Sequence, residues 1–301
     1  MTKDNNSNGD SLFPELEDHN AKERRSKIGP RGFDPSPVAP GGSRGEILVG
    51  TSGYSFVDWI GKFYPEGIRK GDMLSYYVDH FPVVEVNSTY YRIPHAAVLH
   101  QMERKTPPGF EFVIKAHKSM THSLDAGPEE YSQFIDALAP VQDAGKFSGV
   151  LLQFPWGFKH TRPSRMHLEA LRGHLPGIPL FAEFRNSAWI NDATFSLLEE
   201  LGIGYCCVDE PQLKGLVPPV VKNTGGAGYV RFHGRNAKNW WDRRAGGDRY
   251  DYLYSNDELR DWVEKIRGLA AEAKKTYVFF NNCHAGQAAS NARLMQQMLK
   301  G

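Results

Sequence analysis

The sequence predicts an α/β protein: a (β/α)8 barrel of the TIM type behind an N-terminal tail. Three observations predict it. From residue 46 onward, eight short apolar runs alternate with helix-like stretches, the pattern of a parallel sheet. Eight such units fill about 250 residues, the usual size of this barrel. The first strand–helix turn reads Gly50-Thr51-Ser52-Gly53-Tyr54, which lacks the glycine fingerprint expected of a doubly wound nucleotide-binding sheet.

The elements follow in order. The strand-like runs are Ile47–Thr51, Val83–Ser88, Glu111–His117, Gly149–Phe154, Leu180–Arg185, Gly204–Asp209, Gly228–His233 and Tyr277–Asn281. Their short length and β-branched and aromatic content mark them as strands. Helical patterns lie at Met73–His80, Ala96–Lys105, Glu129–Gly145, Ser164–His174, Ala193–Leu201 and Asp257–Lys274, with a last one at Gly286–Leu299. The connection Pro211–Thr224 is proline-rich and is expected to lack a full helix.

Residues 1–45 have a different texture. They are polar and end in a Pro/Gly-rich run that holds Pro30, Pro35, Pro37 and Pro40. Such a segment buries too little apolar surface to offset its ordering entropy, so a disordered tail and linker is expected, with a partner-binding motif around Leu12, Phe13 and Leu16 as an option. The barrel domain is expected over 46–301.

The chain of 301 residues has a formal net charge of +1, so no global field recruits nucleic acid or membrane. Cys206, Cys207 and Cys283 have no zinc or disulfide spacing and read as small buried hydrophobes. No apolar stretch has signal-peptide or membrane-spanning length. Asp4, Asp10, Glu15, Glu17 and Asp18 argue against a transit peptide. A soluble cytoplasmic protein is the expectation, with the oligomeric state left open.

Side chains alternate faces along a strand, and helices cover the outside of a barrel. The polar set of each strand is therefore expected to point inward. Those sets are Glu85 with Asn87, Lys115 with His117, Glu183 with Arg185, Cys207 with Asp209, and Arg231 with His233. Most lie at strand C-termini, the rim where barrel enzymes keep their sites. Glu85, Glu183 and Asp209 balance Lys115, Arg185 and Arg231. A mutually paired network makes six inward charges tolerable. The competing reading is that the network is purely structural.

Several segments resemble the YecE-like family (domain of unknown function 72). They are Val49-Gly-Thr-Ser-Gly-Tyr54 with Asp58-Trp59 and Phe63-Tyr64-Pro65, then Val84-Glu-Val-Asn-Ser-Thr-Tyr-Tyr-Arg-Ile-Pro94. Phe112-Val-Ile-Lys115 with Thr121-His122, Leu152-Gln-Phe-Pro155, and Ala182-Glu-Phe-Arg185 with Trp189 follow. Val208-Asp209, Tyr229-Val-Arg-Phe-His-Gly-Arg235, and Phe280-Asn-Asn282 with Asn291-Ala292 complete the set. The resemblance implies a TIM-type barrel and supplies no mechanism.

The chemistry expected of the rim is acid–base or hydrolytic work on a phosphorylated or otherwise anionic small molecule, as a hydrolase, lyase or isomerase. Glu183, Asp209 and His233 would move protons. Lys115, Arg185, Arg231, Arg235 and Asn281 would hold the anion, with Glu85 and Asn87 beside them. Tyr54 and Trp240 would add aromatic walls. No cofactor is predicted. A divalent metal is an alternative that the neighbouring cations oppose, and Lys115 as a Schiff-base nucleophile is a minor one. The loop Gly234–Ser255 interleaves Trp240, Trp241, Tyr250, Tyr252 and Tyr254 with Arg235, Lys238, Arg243, Arg244 and Arg249. It suggests a nucleic-acid interface or a lid. A non-catalytic small-ligand sensor is the third reading.

Overall fold

The computed structural model describes residues 45–242 and 248–301. Eight parallel strands close into a barrel in sequence order: β1 (Glu46–Ser52), β2 (Val83–Val86), β3 (Glu111–Lys115), β4 (Phe147–Gln153), β5 (Leu180–Glu183), β6 (Ile203–Asp209), β7 (Ala227–Phe232) and β8 (Lys275–Phe280). The helices are α1 (Met73–Tyr77), α2 (Ala96–Arg104), α3 (Pro128–Asp143), α4 (Arg162–His174), α5 (Asp192–Leu201), α6 (Asn256–Glu272) and α7 (Gln287–Lys300). The expected barrel is present. The connection from β6 to β7 contains no helix, as its prolines predict. The tail, with Leu12, Phe13 and Leu16, and the loop cations Arg243 and Arg244 lie outside the described residues.

Local signals set the helix starts. Asn191 caps α5 by accepting from the Thr194 amide at 2.9 Å. Ser255 and Glu258 form a reciprocal capping box at the start of α6. The outward strand faces are apolar: Val84 and Val86, Phe112 and Ile114, and Val150 and Leu152 are all buried beneath the helix layer. Each such side chain contributes roughly 1.5–3 kcal/mol when fully buried.

The barrel interior is layered. At its N-terminal end Glu111 takes hydrogen bonds from Tyr277 at 2.8 Å, from Ser148 and from Lys275. Ser148 is the extra residue of a bulge, since Phe112 pairs with Phe147 but Val113 with Gly149. Gly149 absorbs the bulge at φ +138°, where a Cβ would meet the Pro179 carbonyl oxygen at 2.8 Å. Above this plug Tyr229 packs on Phe181 and Phe279, with ring centroids 4.6 and 5.3 Å apart. The C-terminal layer is ionic.

No helix among the described residues is long and apolar enough to cross a membrane.

Candidate functional site: a charged mouth at the strand C-termini

Strand register decides which charges share the mouth. Partners in a parallel ladder point to the same face. Ser52 pairs with Glu85, Gln153 with Glu183, and Val208 with Arg231. Ser52, Glu85, Gln153, Glu183 and Arg231 therefore face inward. On β6 the inward residues are Cys206 and Val208. The Cys206 Sγ lies 3.9 Å from Glu183 Oε2. Glu210, one residue beyond β6, continues that face.

Arg231 is the hub. Its Nη2 donates to Glu85 Oε1 at 2.6 Å and to Ser52 Oγ at 3.3 Å, while Nη1 donates to Glu183 Oε2. The Tyr229 hydroxyl donates to Glu85 Oε2 at 2.6 Å. Arg185 continues the chain: Nε donates to Glu183 Oε1, and Nη1 donates to Glu210 Oε2 at 3.0 Å. Glu210 Oε1 also accepts from the Val217 amide at 3.0 Å. Glu85, Glu183, Glu210 and Arg231 are all at most 1% exposed, so a charge on any of them needs these partners.

The environments pull these groups apart. Burial would raise the Glu183 pKa, but Arg185, Arg231 and His233 outweigh it and hold that carboxylate well below its usual range. Burial pushes Glu210 up to about 7; Arg185 opposes and Glu183 adds to the rise. Burial, then Arg231, brings Lys115 down to about 8, against the pull of Glu183 and Glu85. Those two carboxylates bond to arginines, and the Lys115 ammonium instead donates to the neutral amide of Gln153 at 2.8 Å. It also lies 4.5 Å from the Tyr90 ring centroid.

His233 is neutral. Its Nδ1 faces Arg185 Nη2 at 3.3 Å and Asn281 Nδ2 at 3.0 Å. A guanidinium can only donate, so Nδ1 accepts and the proton sits on Nε2, 3.2 Å from Glu183 Oε1. Burial, together with Arg185, lowers its pKa to about 3. His122 stands beside the mouth, its ring 4.8 Å from that of Tyr90. Burial, Lys115 and Arg185 bring it down to about 4. It belongs to a π-helical turn, Ser119–Ser123, a form common at functional sites, which ends at Leu124 with φ +58°.

Both sequence and structure find relatives for this architecture. The family described as "Protein of unknown function DUF72" matches residues 48–301. The chain belongs to the DUF72 family. The UPF0759 protein YunF of Bacillus subtilis is 32% identical over 269 residues, 84% of this chain and 94% of YunF. The crystal structure of a DUF72 protein from Thermotoga maritima is 41% identical, with a TM-score of 0.79, covering 85% of this chain and all of that one. A DUF72 protein from Enterococcus faecalis is 28% identical, with a TM-score of 0.76, over 85% of this chain and 96% of the other. The resemblance seen in the sequence motifs is thus borne out.

Within this DUF72 barrel, Glu85, Lys115, Glu183, Arg185, Arg231, His233 and Asn281 meet in one mouth. Asn87 extends the inward face of β2, and its buried Oδ1 has no hydrogen-bond partner. Trp240 is buried against Arg185, whose guanidinium carbon lies 5.8 Å from the indole. Tyr54 is half-buried after β1, with its ring 6.1 Å from that of Tyr77.

Two expectations need correction. Asp209 does not enter the mouth. Its partner in the ladder is Phe232, and both face the helix layer. Arg235 grips it twice, at 2.8 and 2.7 Å, while Tyr254 and Trp262 donate to it at 2.7 and 2.8 Å. Arg235 therefore braces α6 through Asp209 and Glu258 rather than joining the mouth. The charge rule failed because alternation separates two faces without saying which is inside. Glu210, Gln153 and His122 are the mouth residues that sequence reasoning missed. Parity applied from Cys206 through Val208 finds Glu210, once the register is known.

Among the described residues, no group of three or more His, Cys, Asp or Glu is placed to hold a metal ion.

Proposed function

We propose that this DUF72 chain is an enzyme acting on a phosphorylated or otherwise anionic small molecule by acid–base or hydrolytic chemistry in the barrel mouth. One observation carries the reading. Lys115 and Glu210 are displaced toward neutrality from opposite ends of the scale, to about 8 and about 7, and both lie within the field of Arg185 and Glu183. Groups poised near working pH in a rim site suit proton transfer.

The roles follow from the environments. Among the described residues no carboxylate is hydrogen-bonded to Lys115, so an anionic ligand supplies the counter-charge, with the Arg185 guanidinium, already paired to Glu183 and Glu210, adding positive field. Glu210 gives or takes the proton. Glu183 accepts from two arginines and faces the Nε2–H of His233, and these partners leave it a poor base. Glu183 and His233 position Arg185 instead. Asn87 offers an acceptor for a ligand hydroxyl.

The test is a thermal-shift screen of sugar phosphates, nucleotides and short carboxylates, followed by turnover assays on each stabilising compound. An anion that stabilises the wild-type chain, fails to stabilise Lys115→Met, and is turned over by wild type but not by Glu210→Gln is the expected result. Absence of stabilisation by every anion would overturn the reading.

A further inference from the structure

We propose that Trp156 and Trp241 form a stacking platform beside the mouth and that the ligand is a nucleotide, with its base on the indoles and its phosphate toward Lys115 and Arg185. The proposal rests on the anion-binding reading above and adds the substrate class.

Exposed large hydrophobics among the described residues are concentrated on one face, with Met166 on α4 the exception. Val57, Tyr91, Leu124, Trp156, Trp241 and Leu253 all lie on loops that follow strands, around the mouth. Exposed apolar groups gathered around a polar cleft mark an interaction surface. The two tryptophans are the largest of them, 41% and 54% exposed. Their centroids are 6.0 Å apart with planes at 79°, an edge-to-face pair that uses one face of one ring.

The platform is held in place and adjoins the mouth. Trp156 Nε1 donates to the Gly215 carbonyl at 3.0 Å, and Asn186 Nδ2 donates to the Trp156 carbonyl at 3.0 Å. Gly215 has φ +85°, and a Cβ there would lie 3.4 Å from the indole nitrogen. Asn186 follows Arg185 in the chain, and Trp241 follows Trp240, which packs on Arg185. Both indoles are thus one residue removed from groups at the anion site. Lys159 Nζ lies over the Trp156 ring, 5.3 Å from its centroid, and places a further cation at the platform. A flat π-system joined to a phosphate matches indole faces beside lysine and arginine, because every base presents a face for stacking. A bare sugar phosphate fills the cationic half alone.

The experiment compares adenosine 5′-monophosphate, ribose 5-phosphate, adenosine and inorganic phosphate by calorimetry and tryptophan fluorescence. The nucleotide should bind about tenfold more tightly than ribose 5-phosphate, the size expected of one stacked base. That ratio should fall to near one in Trp156→Ala and Trp241→Ala, and Trp156→Phe should recover part of it. Melting temperatures confirm that these surface variants fold. Equal affinity for the nucleotide and ribose 5-phosphate overturns the platform and leaves the anion site standing. Tryptophan-dependent adenosine binding with no response to any phosphate keeps the platform and overturns the anion site. No binding by any of the four compounds overturns both.

Discussion

Arg185 joins Glu183 to Glu210, donating to the first through Nε and to the second through Nη1 at 3.0 Å. One guanidinium therefore governs two buried carboxylates that are held on opposite sides of the ordinary range. Replacing Arg185 with Met leaves both acids without their shared partner. Loss of one member of a buried ion network costs about 3–5 kcal/mol, and urea denaturation should show a loss of that order. Arg185→Met combined with Glu210→Gln should recover part of it. A loss below about 1 kcal/mol would show that the network is not coupled this way.

Glu210 should set an alkaline limit on activity. Its folded-state pKa is about 7, so it is protonated below that value and can act as an acid. For a ligand found by screening, kcat/KM should be level below pH 7 and decline above it. A profile that rises through pH 7 would assign Glu210 the role of base. A profile without a break there would remove it from proton transfer.

Lys115 should confer a second pH dependence, on binding. Its ammonium loses its proton near pH 8 rather than near 10.5. Anion affinity should weaken above pH 8, and Lys115→Met should be weak at every pH. Calorimetry at pH 7 and 9 reads this directly. Equal affinity at both values would place the anion elsewhere.

Asp209 should matter for stability alone. It joins Arg235, Tyr254 and Trp262, binding the loop after β7 and helix α6 to the outer face of the barrel. Asp209→Asn should cost about 2–4 kcal/mol, as expected when a buried charged acceptor is lost. Ligand affinity per folded molecule should stay within about twofold, since 1.4 kcal/mol corresponds to tenfold. A tenfold loss of affinity without a stability change would return Asp209 to the site.

Acid should destabilise the chain from below pH 6.5. His233 and His122 have folded-state values lowered to about 3 and about 4, so the unfolded chain binds more protons as pH falls from 6.5. The stability they contribute is present above 6.5 and lost on the way down. Glu183, also lowered, adds to the loss below the ordinary carboxylate range. Glu210 has the opposite sign: its raised value makes its contribution fall as pH climbs toward 7. Glu210→Gln should therefore steepen the loss between pH 6.5 and 5. Urea midpoints that are flat over that interval in the variant would contradict the neutral state of both histidines.

The sequence by itself determined the barrel, its strand and helix order, the missing helix between β6 and β7, and most of the mouth. Composition and periodicity are local, and a run such as Val83–Ser88 or Asp257–Lys274 carries its own strand or helix signal. Glu85, Glu183 and Arg231 were legible because charges inside apolar strands have few tolerable places except a paired interior. Tertiary structure alone decided which face of each strand is inside. Cys206 and Cys207 differ by one step in the chain, and only the ladder pairing Val208 with Arg231 turns Cys206 inward and Asp209 outward. It also decided who pairs with whom. Arg231 binds Glu85 and Glu183, so Lys115 rests on a neutral amide. The physical reason is that a pKa and a partner depend on distance and burial across strands far apart in sequence, and sequence periodicity contains neither.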